Sequence, residues 1–500
     1  MKLRLDGHDY KYAVEQMMLT LFPDERPVYT DERPERDTLF ADSRLTAGPA
    51  YAASVTRLYV QGRCFVGVAT VGAASLPKGR LAEGRALQKI IRLSFYQAAV
   101  QALGRRPPWG ALTGIRPGKL VSAMLEAGVG EEDAINAMER DYDVSFARAG
   151  LCLDTARAGL AAKDTLGSRD ICLYVGIPFC PTRCAYCSFV SHSVEKSLKL
   201  VEPFLAALFR EIDAVGVVVR RLGLRVVSVY LGGGTPTTLT APALSALLAR
   251  LSRAFDLSRV RDYTAEAGRP DTLTDEKLRV LSENRVTRVS VNPQTMQDHV
   301  LAAIGRNHTA ADIERAVGLV RRARGFIINM DLIAGLPADS EAGFRDTLNR
   351  VLAFRPENIT VHTLALKKGA RITLEKTPLP QPAAVGRMLD YAAEALRGAE
   401  YAPYYLYRQK YTSGGFENVG WAKPNHQNLY NICMMEELCT VLALGGGGST
   451  KLMCGEPGRI QRIFNAKYPH EYILGIDRII IEKESKLYAA YKGRPKENEV

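Results

Sequence analysis

The sequence predicts an α/β chain: a partial (β/α)6 barrel, with a small α+β domain before it and a C-terminal extension after it. Two observations carry this. From Ile171 onward, short β-branched runs alternate with amphipathic segments, the pattern of repeated β-α units and a parallel sheet. Directly after the first of these runs, Ile171–Ile177, three cysteines crowd into one loop as Cys180-x3-Cys184-x2-Cys187, a spacing that lets their sulfurs converge on one metal centre. Residues before about 165 show neither feature. The expected division is therefore 1–165, 166–400 and 401–500.

Taken in order, the N-terminal segment mixes strand-like runs (Ser54–Val60 and Cys64–Val68) with a helical stretch near Leu87–Leu103. Its role is not legible. Pro107–Pro117 is dense in turn formers and reads as an ordered surface loop. After the cysteine-bearing strand, five more are expected at Val226–Leu231, Asp262–Glu266, Thr287–Val291, Phe326–Ile333 and Ile359–Leu364. Helices fall between them: Val201, Phe204, Leu205, Leu208 and Ile212 recur at helical spacing, and Thr274-Asp275-Glu276 offers a cap and acids at a helix start.

In a parallel sheet of this kind, ligand-binding groups gather at the carboxyl ends of the strands. Three cysteines are one short of the four that close an iron–sulfur cluster or a structural zinc, which leaves one metal position for a non-protein ligand. The competing reading is three buried or zinc-binding thiols. Gly232-Gly233-Gly234-Thr235-Pro236 closes the second strand, and successive glycines permit close backbone approach to a ligand's amino and carboxylate groups. Glu266, Gln294 and Asp331 recur at comparable positions of the next three strands and suggest a shared polar pocket. Arg306 could supply a fork for a carboxylate, although an exposed arginine is the ordinary alternative.

Beyond residue 400 the chain is rich in tyrosine and glycine. Tyr401, Tyr404, Tyr405 and Tyr407, with Arg408 and Lys410, could face a flat anionic ligand or pack as ordinary aromatics. Gly445–Lys451 lacks the residue order of a phosphate loop and reads as a flexible wall or turn. Cys433, Cys439 and Cys454 are loosely spaced among apolar residues and read as inert core thiols.

The 500 residues, 47% hydrophobic, suffice for two or three domains with ordinary cores. No apolar run approaches the roughly 20 residues of a membrane span, and the N-terminus lacks a signal peptide's apolar core, so a cytoplasmic protein without a membrane partner is expected. Nine cysteines, three of them in a loop that must stay reduced to hold iron, argue against a disulfide framework. Net charge +12 and pI ≈ 9.2 favour an anionic partner: nucleic acid, a membrane surface, or a small polyanion bearing carboxylates.

The cysteine loop resembles the cluster loop of radical S-adenosylmethionine (SAM) enzymes. Together with Tyr174, the GGGTP run, Glu266, Gln294, Arg306 and Asp331, it is similar over about residues 165–455 to the oxygen-independent coproporphyrinogen III oxidases and their relatives, the radical SAM heme chaperones. The resemblance implies a [4Fe-4S] cluster on Cys180, Cys184 and Cys187, and SAM on its fourth iron. Gly234 and Thr235 would touch the methionine end of SAM, Tyr174 would sit by the methionyl group, and Glu266, Gln294, Arg306 and Asp331 would hold the remainder.

There are departures. Gly176 stands where many members have histidine, and Phe189 replaces an additional cysteine. These, with VNPQTM at Val291–Met296 and YRQK at Tyr407–Lys410, resemble the coproporphyrinogen dehydrogenase branch with an extra N-terminal domain. His426-Gln427-Asn428-Leu429-Tyr430-Asn431 resembles the HNxxYW heme motif of the chaperones, but with glutamine after the histidine and asparagine for the tryptophan. The implied activity is oxidative decarboxylation of two propionates of coproporphyrinogen III to vinyls, giving protoporphyrinogen IX. By family resemblance, SAM is split into methionine and a deoxyadenosyl radical that takes hydrogen from the propionate. The implied partners are an anionic tetrapyrrole and an electron-donating reductase such as flavodoxin or ferredoxin. A heme chaperone and, with less support, a radical SAM enzyme acting on RNA are the alternatives.

Overall fold

The computed structural model describes residues 1–32, 38–187, 192–367, 369–409, 412–453 and 460–491. Phe189, Lys410 and Cys454 lie outside them. The chain forms two compact units, Met1–Leu153 with Gly414–Phe416, and Asp154–Ser413 with Glu417–Val500.

In the first unit, five strands stand side by side in the order Val28–Tyr29, Lys2–Asp6, Phe40–Ala47, Tyr51–Val60 and Arg63–Gly72. Helices Lys11–Leu21 and Arg80–Leu103 supply Val14, Met17, Ile91 and Phe95 to a core shared with Leu3 and Leu58. Burial of these side chains, worth about 1.5–3 kcal/mol each, is what holds the layer together.

The second unit is built on one sheet. Its strands are β1 (Asp170–Ile177), β2 (Arg225–Gly233), β3 (Asp262–Glu266), β4 (Arg288–Ser290), β5 (Ile327–Ala334), β6 (Asn358–Thr363), β7 (Ala402–Arg408), β8 (Glu417–Ala422), β9 (Thr440–Gly445), β10 (Ser449–Met453) and β11 (Ile460–Phe464). Strands β1 to β6 are parallel neighbours in sequence order, at the six expected places. Their near-continuous burial is that of a parallel sheet covered on both faces.

The covering helices include α1 (Val194–Arg221), α2 (Ala241–Ala254), α3 (Asp275–Glu283), α4 (Ala310–Ala323), α5 (Glu341–Ala353), α6 (Pro382–Gly398), α7 (Leu429–Glu436) and α8 (Ile476–Tyr491). Side-chain oxygens of Thr240, Thr274, Thr309 and Ser340 cap α2 to α5, which fixes where each helix starts after its strand.

The strands after residue 400 belong to this same unit and sheet. β8 pairs antiparallel with β6, and β7 with β8, on one side. On the other, β9 runs parallel to β1, and β10 and β11 follow it antiparallel. A seventh parallel strand therefore flanks the cysteine-bearing one. Its placement depends on a pairing of about 270 positions in sequence separation, which no local pattern announces.

Candidate functional site

The cysteine loop leaves the carboxyl end of β1, and the glycine turn leaves that of β2 beside it. The Gly234 and Thr235 amides donate to the carbonyls of Ile177 and Phe179, at 2.8 and 2.7 Å, and Cys180 Sγ lies 3.5 Å from Thr235 Oγ1. A Cβ on Gly234 would fall 2.4 Å from the Phe179 oxygen. Glycine is needed there so that the turn can lie against the loop's own backbone. The sequence suggested amides free for a ligand; the structure instead commits these two to bracing the loop.

Cys180, Cys184 and Cys187 are all half-buried, and the Cys187 amide donates to the Cys184 carbonyl at 3.1 Å. Two buried arginines border the loop. Arg269 donates to Thr182 Oγ1 at 2.9 Å and lies 3.9 Å from Cys184 Sγ; Arg306 donates to Tyr186 Oη at 3.2 Å and to the Asn292 carbonyl at 2.6 Å. Burial opposes the charge on Arg306, but Tyr186 and Cys184 hold its pKa above the ordinary value. Nearby His308 is pushed down to about 3 by burial and by Arg306 and Arg269, so it stays neutral. Among the described residues, Arg306 Nε and Arg269 Nη2 are buried without a hydrogen-bond partner. Positive charge and unspent donors thus border a loop of three thiols, and this donor set fits an anionic iron–sulfur cluster with a carboxylate-bearing ligand.

The strand ends bring together most of the remaining expected residues. Tyr230 donates to Glu266 Oε1 at 2.6 Å, and its ring lies 6.3 Å from that of Tyr174, its register partner on β1. Burial pushes the Glu266 carboxyl up to about 7, the Tyr230 hydrogen bond working against this and the charge of Asp331 adding to it. Asp331 behaves oppositely. Although burial disfavours its charge, bonding to His362 and Asn329 keeps it below the usual carboxylate range. The His362 Nε2 atom lies 3.9 Å from Asp331 Oδ2, and Tyr407 Oη lies 3.4 Å from His362 Nδ1. Gln294, with φ 66, bridges to β5: its amide donates to the Asp331 carbonyl at 2.9 Å and its carbonyl accepts from Ile333 at 3.0 Å.

Sequence reasoning missed Arg269, Tyr230 and His362. Arg269 follows Glu266 in the same strand-end loop, and His362 stands one residue before the end of β6, so position alone could have flagged both. The tyrosine-rich segment divides. Tyr401, Tyr404 and Tyr405 are buried core residues, and Tyr407 alone of the four is half-buried. Of the flexible wall or turn expected at Gly445–Lys451, the structure shows the turn, and it is pinned: Glu211 accepts from the Gly445 amide at 2.8 Å and Lys483 caps Glu211 in a fully buried ion pair. Cys433 and Cys439 meet Cys172, a residue the sequence placed only in an apolar run. Hydrogen bonding from Cys172 and Cys439 pulls the Cys433 thiol down to about 5, against burial and aided by Arg261.

Residues 174–351 match the Radical SAM superfamily. The chain is 38% identical over 369 residues, 73% of its length and 74% of the relative's, to the oxygen-independent coproporphyrinogen-III oxidase-like protein HemZ of Bacillus subtilis. It is 26% identical over 310 residues, 61% of its length and 76% of the relative's, to the heme chaperone HemW of Haemophilus influenzae. Among solved structures it is similar to coproporphyrinogen III oxidase (HemN) from Escherichia coli, with a TM-score of 0.50 and 23% identity over 64% of this chain and 72% of that one, a likeness of fold. The fold is that of a radical SAM protein. The chain belongs to the oxygen-independent coproporphyrinogen-III oxidase-like family within that superfamily. Its cofactors are accordingly a [4Fe-4S] cluster and SAM. No helix among the described residues is long and apolar enough to cross a membrane.

Proposed function

We propose that the chain is an oxygen-independent coproporphyrinogen III dehydrogenase, converting two propionates to vinyls with loss of carbon dioxide and yielding protoporphyrinogen IX. In this reading Cys180, Cys184 and Cys187 hold the cluster, and Tyr174, Gly234, Thr235, Glu266, Gln294, Arg306 and Asp331 surround SAM. When bound, cluster and SAM supply the one-electron chemistry that removes a hydrogen from the propionate side chain. The chain's own residues do the rest. Arg269 and Arg306 offset the negative charge of the thiolate loop, while Glu266 and Asp331 receive the cationic part of SAM. Strand-end packing around Tyr174 and Tyr230 excludes water. His362 and Tyr407, next to Asp331 on β6 and β7, border the side left for substrate. The proposed partners are an anionic tetrapyrrole and a cytoplasmic electron-donating reductase such as flavodoxin or ferredoxin.

The observation that carries the choice of enzyme over chaperone is the fate of the His426–Asn431 segment. His426 Nδ1 is 2.7 Å from the Pro424 carbonyl, and the His426 carbonyl accepts from Asn358, the first residue of β6. This puts His426 at the amino-terminal end of β6, away from the cysteine loop that follows the carboxyl end of β1. Asn428 caps α7 and donates to Thr264, Asn431 donates to Tyr404, and Tyr430 stacks on Tyr230 at 4.5 Å. These side chains have structural work that a heme motif would disturb.

The HemW relatives favour the second reading, a heme chaperone. An anaerobic assay of the reconstituted protein with coproporphyrinogen III, SAM and a reductant tests the choice. Vinyl product supports the dehydrogenase; stable one-to-one heme binding dependent on His426, with no vinyl product, would replace it by the chaperone. Salt-sensitive retention of RNA in place of tetrapyrrole would favour the RNA-directed alternative.

A further inference from the structure

Cys172, Cys433 and Cys439 come from β1, α7 and the residue before β9, and their Sγ atoms all lie within 4.8 Å of one another, with Cys172 and Cys439 at 3.6 Å. They are 0, 0 and 6% exposed, beneath an apolar cover of Val227, Tyr430, Leu438 and Val441. Cys172 is near the start of β1, whereas the cysteine loop follows its end, so about 16 Å of extended strand separates the two trios. They are different sites.

Sulfur spacing decides what the buried trio can hold. Thiolates about 2.3 Å from a single tetrahedral ion lie about 3.8 Å apart; Cys172 and Cys439 are 3.6 Å apart and no pair of the three exceeds 4.8 Å. A four-iron cluster binds each cysteine through a different iron and needs its sulfurs further apart. No histidine, carboxylate or further cysteine among the described residues joins the group. Soft, exclusively thiol donors in this number select thiophilic d10 ions over magnesium, calcium or manganese.

We propose that Cys172, Cys433 and Cys439 bind one thiophilic d10 ion, zinc(II) or copper(I), as a three-thiolate site that fastens β9 and α7 to β1. The ion replaces the thiol protons, and no electron is transferred. The site lies under the stacked rings of Tyr430, Tyr230 and Tyr174, so it also fixes the inner wall that reaches Glu266.

The test is elemental analysis of anaerobically purified full-length holoprotein. About one equivalent of zinc or copper is expected beyond the cluster iron, and Cys433→Ser should lose it while retaining the cluster iron. A second measurement does not depend on how that variant folds. The full chain with Cys180, Cys184 and Cys187 all replaced by serine is titrated with Co2+ as a zinc probe, and separately with Cu+. One equivalent of Co2+ with thiolate-to-cobalt absorption, displaced by Zn2+, identifies the zinc form. One equivalent of Cu+ that shields three thiols from alkylation identifies the copper form. Binding of neither ion, a cobalt spectrum unaltered by adding Cys439→Ser, or a Cys172–Cys439 disulfide in the anaerobic protein would overturn the proposal.

Discussion

Glu266 offers a measurement in which sign and size both follow from the site. Its carboxyl titrates near 7 in the ligand-free protein because burial and Asp331 outweigh the Tyr230 hydrogen bond. If the ionised form receives the cationic part of SAM, binding must first remove the proton, so affinity falls as pH drops below 7. The ionised fraction rises from about 0.1 at pH 6 to about 0.8 at pH 7.5, an expected gain of about eightfold, or ~1.2 kcal/mol. Anaerobic calorimetry of the cluster-loaded protein should show this slope, with release of protons to the buffer on binding. Glu266→Gln should bind SAM more weakly and lose the slope. The same raised pKa stabilises the ligand-free fold at acid pH, and that contribution disappears as pH rises from about 4.5 through 7. It amounts to at most ~3 kcal/mol, less for whatever part of the side chain water reaches. The Tm of the parent should fall relative to that of Glu266→Gln over that range. SAM affinity independent of pH in the parent, or a slope retained in the glutamine variant, would refute the assignment.

Three further outcomes are expected. Cys184→Ser should abolish the four-iron absorption and the corresponding iron and sulfide; full retention of iron would sink the loop assignment. Gly234→Val should lose iron as well as SAM affinity, because the new side chain meets the backbone one residue before Cys180; calorimetry and iron counts read both, and unchanged iron would show that the loop can yield. Lys483→Ala, which leaves Glu211 buried without its cation, should cost about 3–5 kcal/mol in denaturant unfolding, whereas Lys483→Met with Glu211→Gln should recover much of it.

What could be read from the sequence was what is local. The six parallel strands followed from β-branched runs, the cap at Thr274 from its hydroxyl and following acids, and the cluster loop from the tight spacing of three cysteines. Glu266 was singled out because it ends its strand, and Asp331 because it is a lone acid within the next-but-one. Arg269 and His362 obey the same rule and were missed because a single charged residue beside a strand end is usually solvated. The Cys172 trio depends on parallel pairing of β9 with β1, in which Val441 opposes Cys172, and that register comes from the fold as a whole. The same holds for the tyrosines after residue 400, whose aromatic character is equally suited to a core or to a ligand wall; only burial separates Tyr404 from Tyr407.

The long-range pairing also accounts for the glycine at position 176. A Cβ there would lie 2.5 Å from the Gly446 carbonyl, and the Gly446 amide donates to the Gly176 carbonyl at 3.1 Å. The turn after β9 can approach so closely because Glu211 grips the Gly445 amide while Asn465, Tyr472 and Lys483 hold Glu211. A side chain at 176 would push the turn off β1 just before the cysteine loop. The C-terminal strand and the buried Glu211–Lys483 pair therefore act on the cluster loop through β1. A residue as large as histidine at 176 would require the β9 turn, and not the loop alone, to be built differently.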